Sequence, residues 1–82
     1  MEKTKLLEQL DRLHTTALGA VRIRKNLGLG EAVDPVDWCR GQIAAPETAV
    51  TRRGKNWYAE GAGFVITVNA KSLTLITAHR RK

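Results

Sequence analysis

Two histidines, His14 and His79, are the side chains of this sequence that ordinarily titrate near neutral pH. Metal-free cleavage of an RNA backbone needs a base for the ribose 2′-hydroxyl and an acid for the leaving oxygen. It also needs cations around a phosphorane-like transition state. His79 and His14 can act as acid or base, and Glu60 as base. Arg22, Arg24, Arg53 or Lys55 can hold the phosphate. The catalytic expectation is His79 with His14, assisted by Arg22 and Lys55. The bland alternative for either ring is a surface or hydrogen-bonded histidine. Cys39 has no evident His and Asp partners to make it a nucleophile, and it is expected with Trp38 in or beside the core.

The cations are unevenly placed. The chain has 82 residues and a formal net charge of +6. Before position 49, seven Lys/Arg balance seven Asp/Glu, whereas residues 49–82 hold seven Lys/Arg against one acid, Glu60. The whole excess is C-terminal, which points to a polyanion-facing half joined to an ordinary half. Arg52-Arg53-Gly54-Lys55-Asn56-Trp57-Tyr58 mixes three cations, a flexible glycine and two aromatics. Cations on a hairpin can contact phosphates, and aromatics on a sheet can stack on unpaired bases. His79-Arg80-Arg81-Lys82 is a second basic cluster. The expected nucleic-acid contacts are Arg22, Arg52, Arg53, Lys55, Trp57, Tyr58, Arg80, Arg81 and Lys82. Arg22 and Arg24 lie about 200° apart on a helix, so one ligand cannot face both equally. Arg22 can form a salt bridge or bind phosphate, and structural pairing with a nearby acid is the safer reading. Gly61-Ala62-Gly63 reads as a turn, since no helix follows it, and no nucleotide-binding fingerprint is present.

A chain of this length is expected to form a single domain, 1–82, with a helical half at 1–46 and a basic strand half at 47–82. Leu6, Leu7, Leu10 and Leu13 recur at helix spacing, with Thr4 as a candidate N-cap. Thr15 or Thr16 caps a second helix whose expected buried face is Leu18, Val21 and Leu27, ending at Gly28. Asp34-Pro35 opens a third, with Val36, Cys39 and Ile43 on one face. Strands are expected over 49–52, 56–60, 64–69 and 73–79, with connections short enough for an antiparallel meander. In the last strand, alternation puts Leu73, Leu75, Thr77 and His79 on one face, and Thr74, Ile76, Ala78 and Arg80 on the other. Together these predict an α+β domain: three N-terminal helices packed on one face of a C-terminal four-stranded antiparallel sheet.

One cysteine excludes an internal disulfide and a cysteine-based zinc cluster, and a reducing, cytoplasmic setting fits best. Neither a secretory signal nor a membrane span is visible, and no metal or cofactor is expected.

Several segments carry a family resemblance. They are Leu13-His14-Thr15-Thr16 with Gly19, Arg22-Ile23, Asn26-Leu27-Gly28-Leu29, Trp38-Cys39, Gly54-Lys55-Asn56-Trp57-Tyr58, Ile66-Thr67-Val68-Asn69 and Ile76-Thr77-Ala78-His79. By these the chain resembles a small bacterial and phage family of about 80 residues, a domain of unknown function. The helix-then-sheet pattern, the Ile76-to-His79 ending and the His14–Arg22 spacing are also similar to the barnase, colicin and RelE-like ribonuclease toxins. That resemblance implies a four-stranded sheet whose open face holds RNA. The leading expectation is therefore a small basic nucleic-acid-binding domain, RNA favoured, that cleaves RNA without a metal if it is an enzyme. The alternative is a protein-interaction module or phage-type regulator that binds an acidic protein surface.

Overall fold

The computed structural model describes residues 2–81. Helix α1 spans Glu2–Leu7, followed by a 3₁₀ turn at Leu10–Arg12, α2 at Ala17–Leu27 and α3 at Pro35–Ala44. Strands β1 (Ala49–Arg53), β2 (Asn56–Gly61), β3 (Phe64–Asn69) and β4 (Leu75–Arg80) form one antiparallel sheet in sequence order. The chain is thus an α+β fold with N-terminal helices and a four-stranded meander.

Local chemistry sets the boundaries. The Thr16 hydroxyl accepts from Gly19 N at 3.0 Å and caps α2. Gly28 ends α2 in the left-handed region at φ 68°, where a side chain would be strained. Asp34 Oδ1 accepts from Val36 N at 2.9 Å, and Pro35 opens α3. Thr4 is not a cap. It lies inside α1, where its carbonyl accepts from Glu8 N. Gly54, at φ 56°, makes the two-residue turn between Arg53 and Asn56 possible.

The core joins Leu6, Ile23, Leu27, Cys39 and Ile43 of the helices to Trp57, Ala59, Phe64, Ile66, Val68, Leu75 and Ala78 of the sheet. Paired residues of an antiparallel ladder share a face. One face therefore carries Trp57, Ala59, Ile66 and Val68 into the core. Residues of the other face are half-buried or exposed, Thr67 excepted. Lys3 Nζ donates to the carbonyls of Ala45 and Thr48, each at 2.6 Å, tying α1 to the α3–β1 link.

Two sequence expectations fail for definable reasons. Leu18 and Val21 of α2 are 71% and 59% exposed; of the expected face only Leu27 is buried, and Ile23 joins it. The side of α2 bearing Ala20, Ile23 and Leu27 approaches β4, so small and branched residues settle the helix rotation. In β4, a register shift opposite Thr67 and Val68 breaks simple alternation. Leu75 and Ala78 consequently both enter the core while Ile76 stays exposed. The strand also begins at Leu75. Leu73 has φ 59° and cannot belong to it.

Candidate nucleic-acid interface

The ladder fixes three rows on the outward face of the sheet. Arg53, Asn56 and Asn69 form the first, and Thr51, Tyr58, Thr67 and Thr77 the second. Ala49, Glu60, Val65 and His79 form the third. The first and third rows lie four residues apart, about 13 Å along the strands. The Arg53 guanidinium sits over the Tyr58 ring, 5.5 Å from its centroid. Arg81 Nη1 donates to Glu60 Oε2 at 2.7 Å, and both side chains stay substantially open to solvent. Such a pair adds little stability and remains free to exchange partners.

His79 is exposed. Its Nδ1 lies 3.2 Å from the Arg80 carbonyl, an acceptor, so Nδ1 carries a proton and Nε2 is the nitrogen left to exchange one. His79 and Glu60 flank Val65 on either side of the central strand β3. Two strand spacings separate their backbones, about 10 Å, and both residues share the outward face with the intervening Val65.

His14 is held elsewhere. Its backbone bridges Leu73 and Leu75, with His14 N donating to Leu73 O and Leu75 N to His14 O. Its Nδ1 meets the Arg12 carbonyl at 2.8 Å and its Nε2 meets Thr74 Oγ1 at 3.0 Å. Both nitrogens are engaged, Nδ1 within the α1–α2 link and Nε2 in fastening that link to the start of β4. His79 lies five residues beyond Thr74, about 16 Å along an extended strand. The structure does not bring the two histidines together, and a paired-histidine mechanism has no geometry here.

The expected cations sort into groups. Arg53 and Arg81 border the outward face. Lys55, at the β1–β2 turn, comes beside Lys71 of the β3–β4 turn. With Arg52, Asn69 and Ala70 they line a groove of about 480 Å³ at one end of the sheet. Asn69 Oδ1 shapes the second turn by accepting from Lys71 N, Ser72 N and Ser72 Oγ. Sequence reading missed Lys71 as a site residue, although the Asn56↔Asn69 register that sets it against Lys55 follows from the short β2–β3 turn. Arg52 donates to Gly54 O at 3.0 Å and covers Trp57 on the core side. Arg80 Nε and Nη2 donate to the Leu27 carbonyl at 3.1 and 2.7 Å. That places a cation on the C-terminal end of α2, on the helix side of the sheet. Arg22 is exposed on α2, away from the strand rows, and no acid pairs with it among the described residues. Trp57 is only 3% exposed and faces the core, so Tyr58 is the accessible aromatic of that dipeptide. Lys82 lies outside the described residues.

Cys39 is fully buried, and burial pushes its thiol up to about 12. Native protein should therefore resist a disulfide reagent that labels the unfolded chain promptly; fast native labelling would contradict this packing. An unfolded cysteine ionises at about 8.5. The thiol's contribution to stability should be complete below that pH and be lost progressively as pH rises towards the folded value of about 12. Among the described residues no group of three or more His, Cys, Asp or Glu side chains is gathered to hold a metal ion, and no helix is long and apolar enough to cross a membrane.

No curated protein and no solved structure matches the chain, so the likeness to ribonuclease toxins rests on its short motifs. Residues 7–79 match the family model described as "Protein of unknown function (DUF3781)". That span covers both histidines, the α2 and α3 caps and every strand residue except Arg80, and the chain belongs to the DUF3781 family.

Proposed function

We propose that this protein binds single-stranded RNA on the outward face of its sheet, and that Glu60 and His79 cleave the bound strand without a metal. The observation that carries the reading is the meeting of Arg53, Tyr58, Glu60, His79 and Arg81 on one uncovered face, beside the Lys55–Lys71 groove. A base can stack on the Tyr58 ring or on the Arg53 guanidinium above it. Lys55, Lys71 and Arg81 supply charge for the phosphates. The threonine row offers hydroxyls that donate or accept towards base edges and the 2′-OH.

The Glu60–Val65–His79 row favours cleavage over binding alone. The Glu60 carboxylate takes the 2′-hydroxyl proton as the 2′ oxygen attacks phosphorus. The 5′ oxygen leaves with the proton given by His79 Nε2. The products are a 2′,3′-cyclic phosphate and a free 5′-hydroxyl, with no oxidant or metal required. Arg81, already beside Glu60, is placed to stabilise the extra charge on phosphorus.

The test is end-labelled single-stranded RNA in EDTA at low and moderate salt, with wild type beside Glu60→Gln and His79→Ala. Expected is cleavage by wild type, lost in both variants while the gel shift persists. A salt-sensitive shift without cleavage would leave a binding module and remove the catalytic half. Absence of both would sink the reading. Lys55→Ala should flatten the dependence of log affinity on log salt by about 0.7 if Lys55 neutralises one phosphate.

A further inference from the structure

The exposed side of α2 is unlike the sheet face. Leu18 and Val21, 71% and 59% exposed, lie one turn apart on a single stripe. Helices seldom leave two large aliphatic residues in water on one line without a use for them. Val21 continues into a hollow of about 490 Å³ that it lines with Arg24, Lys25, Gly28, Leu29 and Glu31. Gly28 and Leu29 also line a second hollow, of about 200 Å³, walled by Leu27, Trp38, Phe64 and Arg80. The Trp38 and Phe64 rings meet edge to face there, with centroids 5.5 Å apart, and give it a fixed aromatic wall. The two hollows share Gly28 and Leu29, and Val21 joins them to the stripe, so together they form one groove of mixed lining with Val21, Leu29 and Trp38 as its apolar parts. Arg22, Arg24, Lys25 and Arg80 stand around it, against one acid, Glu31.

We propose that this groove docks an acidic amphipathic helix of a partner protein, its apolar side on Leu18, Val21 and Leu29 and its carboxylates on Arg22 and Lys25. Charge complementarity selects the occupant. A second copy approaching with its C-terminal half, which holds the whole +6 excess, would set like charges against the groove. RNA would gain nothing from Leu18 and Val21, the exposed aliphatic pair of the stripe. An acidic helix satisfies both features: apolar anchors spaced i, i+3, i+7 cover the stripe, and acids between them meet the cations. Arg24 and Arg80 are already steadied by the carbonyls of Val33 and Leu27, so their guanidinium groups are partly pre-positioned. This inference is independent of RNA binding, because it uses no residue of the outward sheet face.

The experiment selects binders from a displayed library of helical peptides with apolar residues at i, i+3 and i+7 and random Asp, Glu, Lys or Ala between them. The full chain is the bait. Acidic sequences should be enriched, and Val21→Glu should weaken the selected peptides about 10-fold or more. Lys25→Glu should weaken them too, and a Glu-to-Lys change in the peptide should restore that variant's binding. Both positions are exposed, and a thermal melt of each variant confirms that the fold is retained. Enrichment of neutral or basic peptides, or binding indifferent to Val21→Glu, would overturn the proposal. So would a loss of affinity for a uridine oligonucleotide in Val21→Glu, which would assign the groove to RNA. A dimer in sedimentation that Val21→Glu dissolves would also overturn it, in favour of self-association.

Discussion

Tyr58→Ala should weaken binding of single-stranded RNA by about 5- to 150-fold, the range set by 1 to 3 kcal/mol for one lost stacking partner. Arg53→Ala should act at the same place: it removes the cation over the ring and about 0.7 from the salt slope. The informative control is Arg80→Ala. From sequence, Arg80 belongs to the basic tail and ranks with Arg81 as a phosphate contact. In the structure its guanidinium closes the C-terminus of α2 through two hydrogen bonds to Leu27 O. Its loss should cost about 1 to 2 kcal/mol of stability, as a charge-assisted bond at a helix end does, and leave RNA affinity nearly unchanged. Fluorescence anisotropy with a labelled oligonucleotide measures the affinities and urea melts measure the stabilities. Equal loss of affinity in Arg80→Ala and Tyr58→Ala would mean that bulk positive charge, and no particular face, holds the RNA.

The first three strands and the caps of α2 and α3 are legible because each is written locally. Asp34-Pro35, Gly28 and the β-branched run from Val65 to Val68 carry their conformations in their own chemistry. The meander followed from connections too short for any other pairing. The rotation of α2 was not legible. Leu18 and Val21 look like a core stripe as much as Ile23 does, Leu27 fits either, and only the approach of β4 decides between them. Nor was the face of each cation. Arg52 and Arg53 are neighbours in sequence, yet pleating sends one over Trp57 and the other over Tyr58. The irregularity in β4 hid the phase of that strand, and with it the identity of the residue that faces His79 across β3. Glu60 had been one candidate base among several. Register made it the partner of that row.

The buried turn residue that leads into β4 should be among the most sensitive positions outside the strands. Leu73→Ala is expected to cost about 2 to 5 kcal/mol, the range for a truncated buried leucine. A chain of 82 residues has a total stability of about 4 to 12 kcal/mol, so much of it would be gone. Leu73 is fully buried, yet its φ of 59° lies in a region that costs a non-glycine residue about 1 to 2 kcal/mol. Burial holds it there, helped by bonds from Leu73 N to Asn69 O and from His14 N to Leu73 O. A second substitution separates the two effects. Glycine at an ordinary site is less stable than alanine, but here Leu73→Gly should exceed Leu73→Ala by about 1 kcal/mol, because only glycine relieves the backbone. The reverse order in urea melts would show that the left-handed turn carries no strain. The turn joins the Lys71 side of the groove to the start of β4, and the shift that follows decides that His79 faces outward and Ala78 inward. A variant that survives with this turn relaxed should therefore lose RNA cleavage before it loses RNA binding, since the Glu60–His79 spacing depends on strand phase whereas Arg53, Lys55 and Tyr58 lie outside the turn.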